Sequence, residues 1–332
     1  MTTRRACFAI LTSLLFLLSS CYTPPTTELP RLVILTADDF GATPGINRGI
    51  TAAVESGVIN TVSVMTNFPG APEEAAELAT AHPSVGVGVH LNITSGTPLL
   101  SPAEIPTLVG EDGTFFSIAD ALGRVDSFDL RQLEAELRAQ IDALARTGVE
   151  IDHLTSQHNL LHLYTPFFEI VVRLAQEYQL PVRSPVPLSV LDPTFANAPI
   201  RRNGMTRVSE AINIHGAKVL DLLPYAGIGA MRANRARLDE AGVAHPDTTV
   251  GVFWGSPTPE TLERIFARLP PGVSEIVFHL GDGASDEDAP PGIDGEYFAT
   301  RERELSTLLA APWEHYLVDY NVRIIGFSDL AR

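Results

Sequence analysis

Two adjacent aspartates, Asp38 and Asp39, directly follow the apolar segment Leu32–Ala37, which has the length and composition of a buried strand. Carboxylates this close repel each other, and one pKa rises unless a cation neutralises the pair. Taken alone, the pair is most simply explained by a turn that exposes both side chains to water. A divalent cation bound beside them is the alternative, and other residues must decide between the two.

Four histidines stand near the ends of other apolar segments: His90, His153, His158 and His279. Taken singly, each is typical of a core or turn residue. The carboxyl ends of parallel strands converge on one face of an α/β fold, so these histidines and the aspartate pair are predicted to cluster. Such a cluster suits a divalent metal and leaves groups over for acid–base chemistry.

The elements that must position these residues alternate between strands and helices. Apolar segments of strand length are Leu32–Ala37, Thr61–Thr66, Val85–Leu91, Val149–Thr155, Leu180–Arg183, Thr249–Trp254, Glu275–Leu280 and Val322–Phe327, with a weaker one at Ala217–Leu222. Helical patterns are Gly45–Ser56, Ala71–Thr80, Leu130–Thr147, Thr165–Tyr178, Pro259–Leu269 and Tyr297–Ala310. This alternation predicts a parallel sheet covered by helices, either a (β/α) barrel or a doubly wound sheet. The stretch Thr97–Asp129 interrupts it and is predicted to form a long loop over one face.

The N-terminus has the pattern of an export signal. Arg4 and Arg5 precede an apolar run too short to span a bilayer, which ends in Leu18-Ser19-Ser20-Cys21. This tetrad resembles the lipobox of bacterial lipoproteins, so residues 1–20 are predicted to be a signal peptide and Cys21 to carry lipid. The Thr/Pro-rich residues 21–30 then form a tether. We therefore expect a membrane-anchored lipoprotein that faces the periplasm or the cell exterior; an ordinary secretory signal or a short N-terminal anchor is the alternative.

The cysteine count and the net charge limit the functions that the protein can have. The chain has two cysteines, Cys7 in the signal and Cys21 in the lipobox, so no thiol or disulfide is left to the mature domain. The formal net charge of −17 becomes −19 without residues 1–20, because that segment holds Arg4 and Arg5 and no acid. Such an acidic protein is not expected to bind nucleic acid.

Several of these segments resemble those of the ChbG/YdjC-like carbohydrate deacetylases. The resemblance is carried by Thr36–Gly41, Gly88–Thr94, His153–His162, Glu275–His279 and Arg301–Leu305, in the same order. It covers almost the whole chain after the tether and implies one domain, residues 31–332, folded as a distorted (β/α) barrel of mainly parallel strands. The implied activity is removal of acetyl groups from an N-acetylated sugar, with one divalent metal ion, magnesium or zinc. The sequence identifies neither the sugar nor the oligomeric state.

Transferred residue by residue, the resemblance makes Asp39, His90 and His158 the metal ligands. It makes Asp38 the general base and His279 the general acid. The chemistry asks for the same residue types: a metal polarises the amide carbonyl, a carboxylate takes the proton of the attacking water, and an imidazolium protonates the leaving amine. A metal beside Asp39 would also stabilise both carboxylates of the pair.

The third motif departs from the family pattern. The family usually has His-Leu-Asp-Ser-His, whereas this chain has His153-Leu154-Thr155-Ser156-Gln157-His158. Aligned from the downstream helix, His158 is the ligand; aligned from His153, it is Gln157, and imidazole is the better metal ligand. His162 is an alternative ligand, although a surface position on the helix is the simpler interpretation.

Two further departures concern the surroundings of the ligands. Thr155 or Ser156 replaces the family's aspartate, which removes a carboxylate partner for a metal-bound histidine. Leu280 stands where the family generally has proline after the histidine, which affects the expected pose of His279.

Two other strand-end residues are candidates for substrate binding. Arg183 is predicted either to orient Asp38 through a salt bridge or to form a structural ion pair. Trp254 is predicted either to stack on a sugar ring or to belong to the core. The acidic loop Asp282–Asp288 is expected to be solvated, close to His279. Two other functions stay open: a catalytically weak carbohydrate-binding lipoprotein, and a metal-dependent esterase.

Overall fold

The computed structural model describes residues 31–282 and 295–330. The predicted signal peptide, Cys21, the tether and most of the acidic loop lie outside the described residues. Within them, seven strands form one sheet in which all pairings are parallel. The strands are β1 (Arg31–Phe40), β2 (Thr61–Val64), β3 (Gly86–Leu91), β4 (Ile151–Ser156), β5 (Thr248–Val250), β6 (Gly272–Phe278) and β7 (Val322–Ile324).

The strand order is β4-β3-β2-β1-β6-β5, so β1 lies at the centre of the sheet. Strand β6 pairs with β1 along Arg31–Ala37, which leaves the opposite edge of β1 to β7 at its start and to β2 at its end. Asn60 fills the position between β7 and β2. Its Oδ1 accepts from the Leu35 amide at 3.1 Å, and its Nδ2 donates to the Ile325 carbonyl at 2.8 Å.

The segment 180–187 links the two outer strands of this order. Parallel bridges pair Val182 with Leu154 of β4 and Pro187 with Thr249 of β5. Arg183 continues the first bridge, because its amide donates to the Leu154 carbonyl at 2.9 Å. The predicted strand Leu180–Arg183 is therefore present only as single bridges. These bridges curl the sheet into the distorted barrel that the sequence predicted, and that prediction is confirmed.

Thirteen helices lie in the described ranges. They are α1 (Pro44–Glu55), α2 (Ala71–Ala81), α3 (Ile118–Leu122), α4 (Leu130–Ala145), α5 (Leu160–Leu163), α6 (Thr165–Tyr178), α7 (Leu188–Leu191), α8 (Pro199–His215), α9 (Leu223–Ala226), α10 (Ile228–Ala241), α11 (Pro259–Arg268), α12 (Gly295–Leu309) and α13 (Trp313–Asp319). The six predicted helices correspond to α1, α2, α4, α6, α11 and α12. The predicted long loop at Thr97–Asp129 contains only α3 and a short 3₁₀ helix.

The region between the segment 180–187 and β5 differs most from the prediction. The weak strand Ala217–Leu222 is wrong, because Gly216–Leu222 is a 3₁₀ helix. Helix α8 was not predicted, and its only buried residue is Ala211. A helix that buries so little has no apolar stripe for a sequence pattern to detect. No helix within the described ranges is both long and apolar enough to cross a bilayer.

The end of β1 is buried on both faces of the sheet, as expected for a parallel strand covered by helices. The turn after it is fixed by two local hydrogen bonds. Asn47 Oδ1 accepts from the Gly41 amide at 2.6 Å, and Thr43 Oγ1 caps α1 by accepting from the Ile46 amide at 3.2 Å. These bonds hold the backbone just beyond the aspartate pair.

Candidate active site

The carboxyl ends of β1 and β3 bring Asp38, Asp39 and His90 together. His90 Nε2 lies 3.5 Å from Asp39 Oδ1 and 3.9 Å from Asp38 Oδ2. All three side chains are at most 5% exposed. The aspartates are therefore not a solvated turn, and their charges must be balanced inside the protein.

Asp38 is held by Arg183. The guanidinium donates from Nη1 to Oδ2 at 2.7 Å and from Nη2 to Oδ1 at 2.8 Å. Its other side binds Glu275 on β6, with contacts of 2.7 to 3.0 Å. Burial by itself would raise the pKa of Asp38, but the charge of Arg183, helped by His90, holds that pKa well below its usual range. Asp38 is thus an ionised carboxylate in a fixed orientation.

Asp39 has one oxygen engaged and one free. Arg301 Nη2 donates to Asp39 Oδ2, whereas Oδ1 is buried without a hydrogen-bond partner in the described part of the chain. Burial raises the pKa of Asp39, but Arg301 and His90 outweigh it and lower that pKa to about 2. The residue also has φ of 74°, a left-handed conformation that is uncommon outside glycine. Strain of this kind persists where the surroundings impose it, typically at functional sites.

The two candidate ligand histidines have similar surroundings. His90 Nδ1 lies 2.7 Å from Thr155 Oγ1, and His158 Nδ1 lies 2.9 Å from Thr94 Oγ1. Thr155, one of the two residues that can replace the family's aspartate, thus provides a hydrogen-bond partner for His90. Burial, with Arg207 nearby, lowers the pKa of His158 to about 3, so its ring is neutral at pH 7. His158 also has a left-handed backbone, with φ of 53°.

Gln157, the alternative third ligand, lies beside His90. Its Oε1 is 3.4 Å from His90 Nε2 and accepts from the His158 amide at 2.9 Å. The structure therefore brings together Asp39, His90 and Gln157, and it turns His158 Nδ1 toward Thr94. Over residues 31–282 and 295–330, no three His, Cys, Asp or Glu side chains form a metal-binding group.

The donor atoms of Asp39 and His90 nevertheless suit a divalent cation. Asp39 Oδ1 is buried, accepts no hydrogen bond within residues 31–282 and 295–330, and faces His90 Nε2 across 3.5 Å. Two ligands of a tetrahedral ion with bonds of about 2.0–2.1 Å lie roughly 3.4 Å apart. The pair thus offers one carboxylate oxygen and one imidazole nitrogen at a suitable spacing, while the third protein ligand stays a prediction for His158 or Gln157.

His279 follows the last residue of β6 and is half-buried. Its amide donates to Glu304 Oε2 at 2.8 Å, and its buried Nδ1 has no partner among the described residues. Burial lowers the pKa of His279 to about 4, although the aspartates oppose this, so its ring is neutral at pH 7 in the ligand-free protein. Leu280, the departure from the family's proline, is fully buried.

Aromatic rings and Arg301 form the wall beside His279. The ring centroids of Trp254 and His279 are 4.8 Å apart. Arg301 donates to the Tyr297 hydroxyl, and its guanidinium carbon lies 4.5 Å from the Tyr297 ring centroid and 5.6 Å from that of Trp254. Trp254 is half-buried, so it keeps a surface that a ligand can reach. Its role as a sugar platform stays a prediction.

Comparison with known proteins gives the family. A sequence model described as YdjC-like protein matches residues 32–318. The chain belongs to the YdjC-like family. Among curated proteins, the carbohydrate deacetylase of Geobacillus stearothermophilus is 40% identical over 155 residues, which are 47% of this chain and 60% of that protein. The carbohydrate deacetylase of Brevibacillus brevis is 38% identical over 153 residues, 46% of this chain and 59% of that protein.

The matches span about three fifths of the length of these curated relatives. A solved structure supports the fold over more of the YdjC-like chain. It is an Enterococcus faecalis protein described as a candidate cellobiose-phosphate cleavage protein, with a TM-score of 0.69. It covers 91% of this chain and 100% of its own, at 23% identity.

Ser63, His153 and Asp152 of this YdjC-like chain are connected in the same way as the Ser-His-Asp triad of a hydrolase, but the serine and the histidine lie in the core. His153 lies 3.1 Å from Ser63 through Nε2 and contacts Asp152 through Nδ1. Ser63 and His153 are fully buried, and the imidazole stacks on Phe327 with centroids 4.3 Å apart. A side chain at Gly88 would overlap the His153 ring, so glycine there makes the contact possible. His153 is therefore a structural residue in the middle of β4, not a strand-end ligand.

The interpretation of His162 as a surface residue is wrong. It is 4% exposed, its ring packs edge-on against Phe168, and neither ring nitrogen has a hydrogen-bond partner among the described residues. Burial, with Arg183 nearby, lowers the pKa of His162 to about 3. A neutral histidine is thus enclosed behind the site.

Sequence reasoning assigned no role to Arg301, Thr94, Glu275 or Glu304, although all four lie in the resembling segments. The Arg301–Asp39 contact joins residues 262 positions apart. A buried charge on an otherwise apolar helix face was the available signal, since α12 carries both Arg301 and Glu304 on its covered side.

Proposed function

We propose that this protein is a metal-dependent hydrolase that removes N-acetyl groups from an amino sugar or an oligosaccharide. One observation carries the proposal: Asp39 presents to His90 Nε2 a buried oxygen that has no hydrogen-bond partner among the described residues, directly beside an Asp38 that Arg183 keeps ionised. The names of the curated relatives support the substrate class.

Asp39 and His90 would hold the metal ion, with His158 or Gln157 as the third protein ligand. When bound, the ion would polarise the acetyl carbonyl and lower the pKa of a water molecule. Imidazole and carboxylate donors suit zinc, whereas the amide oxygen of Gln157 would favour a harder ion such as magnesium.

Asp38 is the general base in this proposal. Arg183 engages both of its oxygens and keeps it ionised, so it can accept a proton from the attacking water at neutral pH. The two hydrogen bonds from Arg183 also fix the orientation of the Asp38 carboxylate, which lowers the entropic cost of reaching the reactive geometry. Glu275 binds the other edge of the Arg183 guanidinium, so the arginine is held between two carboxylates.

His279 is the general acid. The amine of an amide leaves as a poor anion unless it is protonated, and His279 lies next to Asp39 on the adjacent strand end. Because burial favours its neutral form, His279 must first take up a proton from solvent, which it then passes to the leaving amine; negative charge on the substrate beside it favours that uptake. Its neighbour Trp254 would stack on the sugar ring.

Export and lipid attachment are also part of the proposal. The basic N-terminus, the apolar run and the tetrad that ends in Cys21 support them. Metabolic labelling with a fatty acid, followed by membrane fractionation, tests this point. We expect label on the wild-type chain and none on a Cys21→Ala variant; a labelled Cys21→Ala variant would refute attachment at that residue.

The activity is tested by acetate release from chito-oligosaccharides and peptidoglycan fragments, in parallel with acetyl esters. We expect release from an N-acetylated sugar, its loss after chelation, and its return on adding magnesium or zinc. Ester cleavage without amide cleavage would support the esterase instead. Carbohydrate binding without either activity would support the catalytically weak binding protein.

The third ligand is tested by metal analysis of His158→Ala and Gln157→Ala. If His158 is the ligand, only the first substitution lowers metal occupancy. Full occupancy in His158→Ala, with loss in Gln157→Ala, would transfer the assignment to the amide oxygen.

A further inference from the structure

Helix α8 spans the mouth of the barrel at its carboxyl-end face. Its first residue, Pro199, packs on Gly255, in the loop that follows β5. Its last residue, His215, lies 3.2 Å through Nε2 from Asp120 Oδ1 on α3, in the segment that follows β3. Strands β5 and β3 lie on opposite sides of β1 in the sheet, so the helix connects the two sides of the face that holds the candidate site.

Arg207 stands at the middle of α8, eight residues from each end and about 12 Å along the axis from both. It is half-buried, whereas residues 201–206 and 208–210 are exposed. Ala211, the buried residue of this helix, follows one turn later on the same face. Arg207 therefore lies on the side of α8 that is turned toward the barrel.

The charge of Arg207 acts on residues of the candidate site. After burial, it is the main cause that lowers the pKa of His158. Burial also lowers the pKa of Arg207 itself, and three acidic groups oppose this: Tyr297, Glu210 and Asp39. Electrostatic interactions weaken with distance, so these effects place the guanidinium close to the candidate ligands Asp39 and His158.

Arg207 differs from the two other arginines beside the site, because no carboxylate binds it. Arg183 binds Asp38, and Arg301 binds Asp39. The guanidinium of Arg207 makes no hydrogen bond or ion pair with a residue in 31–282 or 295–330. A half-buried cation without a partner favours an anion in the space next to it.

We propose that Arg207 is a catalytic residue that binds the acetyl oxygen of the substrate as it becomes an oxyanion, and then the carboxylate of the released acetate. The inference rests on the proposed function. Asp38 must reach the attacking water, so the acetyl group lies beside the aspartate pair whichever sugar carries it. A donor placed where negative charge develops stabilises the transition state more than the substrate.

The water oxygen bonds to the acetyl carbon and one of its protons passes to Asp38, while the carbonyl electron pair moves to the acetyl oxygen. Arg207 donates to this oxyanion. When the electron pair returns to carbon, the C–N bond breaks and the amine leaves with a proton from His279. The products are the free amine and acetate, whose carboxyl proton passes to solvent.

Arg207→Met tests this role, because methionine keeps an unbranched side chain without the charge. We expect kcat for acetate release to fall about 100- to 1,000-fold with little change in KM, since the contact forms mainly in the transition state. Arg207→Lys keeps a cation and should recover part of kcat. Arg202→Met and Glu210→Gln, at exposed positions of the same helix, are the matched controls and should keep the wild-type kcat. Elemental analysis should give the same metal content for all of these proteins.

Acetate binding gives a second readout that needs no turnover. Acetate is titrated into the full-length wild-type and Arg207→Met proteins, once with zinc and once with chelator, and binding is followed by saturation-transfer NMR of the acetate methyl group. We expect the dissociation constant to be about 10- to 100-fold higher in the variant under both conditions, as for loss of a hydrogen bond between charged groups.

The outcomes separate this inference from the proposed function. If the wild type releases acetate, but Arg207→Met keeps its kcat, raises only KM or loses its metal, the catalytic role is refuted and the activity stands. If the wild type releases no acetate from any amide, but acetate binds and Arg207→Met weakens that binding, the carboxylate site is supported and the proposed function fails. Equal acetate binding by both proteins would overturn the proposal in either case.

Discussion

Arg183 donates one hydrogen bond to each carboxylate oxygen of Asp38, at 2.7 and 2.8 Å, across 145 positions of sequence. Both side chains are 3% exposed, and Glu275 binds the other edge of the same guanidinium. Two carboxylates therefore share one cation inside the barrel. The general base of the proposed reaction is held by a buried ion pair.

Replacing Arg183 with methionine is expected to destabilise the protein. Asp38 and Glu275 would be left buried without their cation, which costs about 3–5 kcal/mol in the free energy of unfolding. The pKa of Asp38 would rise, so the low-pH limb of kcat/KM should move to higher pH. Urea unfolding at pH 7 and a pH–rate profile measure the two effects.

The double variant Arg183→Met/Glu275→Gln is the control for the stability effect. It removes one of the two stranded carboxylates, so it should be more stable than the single variant. Equal stability of the wild type and Arg183→Met would show that the ion pair contributes nothing.

Replacing His162 with leucine should not reduce metal binding. Neither ring nitrogen has a hydrogen-bond partner in the described part of the chain, and an apolar side chain of similar size can fill the site beside Phe168. We expect unchanged or higher stability and full metal occupancy by elemental analysis. His158→Ala is the comparison, and loss of metal from His162→Leu alone would make His162 the ligand.

The strand ends of the site were predictable because, at each of them, a polar side chain that can bind a metal or transfer a proton stands at the end of a short apolar segment. The β1 end with Asp38 and Asp39, the β3 end with His90 and the β6 end with His279 were identified in this way. The alternation of strands and helices predicted a parallel sheet covered by helices, and the family resemblance implied that this sheet forms a distorted barrel. The structure confirms the fold and places these residues at the carboxyl ends of β1, β3 and β6.

The partners of these residues were not predictable, because they come from distant positions. Arg301 contacts Asp39 across 262 positions, and although its place on the covered face of α12 indicates burial, the sequence does not identify its partner. His153 shows the opposite problem: it has the pattern of a strand-end ligand, but Gly88 admits its ring into the core. Tertiary packing decides both cases.

Trp254 is expected to report substrate binding. It is one of two tryptophans, so Trp313→Phe leaves it as the sole source of indole fluorescence. Stacking of a sugar ring should change that fluorescence during titration with a chito-oligosaccharide. Replacing Trp254 with alanine should weaken binding about 3- to 10-fold, as expected for loss of one ring contact, whereas phenylalanine should retain most of it. Unchanged affinity of Trp254→Ala would make the tryptophan a core residue.

Glu304 makes the stability of the metal-free protein depend on pH. Burial raises its pKa to about 8, from an ordinary value of 4.5, so the folded protein holds a proton there that the unfolded chain releases above pH 4.5. A raised carboxyl pKa costs nothing at low pH, and its cost grows as the pH rises from 4.5 to 8. Glu304→Gln cannot ionise and keeps an oxygen that can accept from the His279 amide.

We therefore expect Glu304→Gln to gain stability over the wild type by about 1 kcal/mol at pH 5 and about 3 kcal/mol at pH 7. Urea unfolding in the presence of chelator, between pH 5 and 8, measures this difference. Glu302→Gln is the matched control, because Glu302 is exposed on the same helix and should show no such trend. Parallel pH profiles for the wild type and Glu304→Gln would mean that Glu304 is ionised in the folded protein, with Arg301, its neighbour on the same helix, as the cation that compensates it.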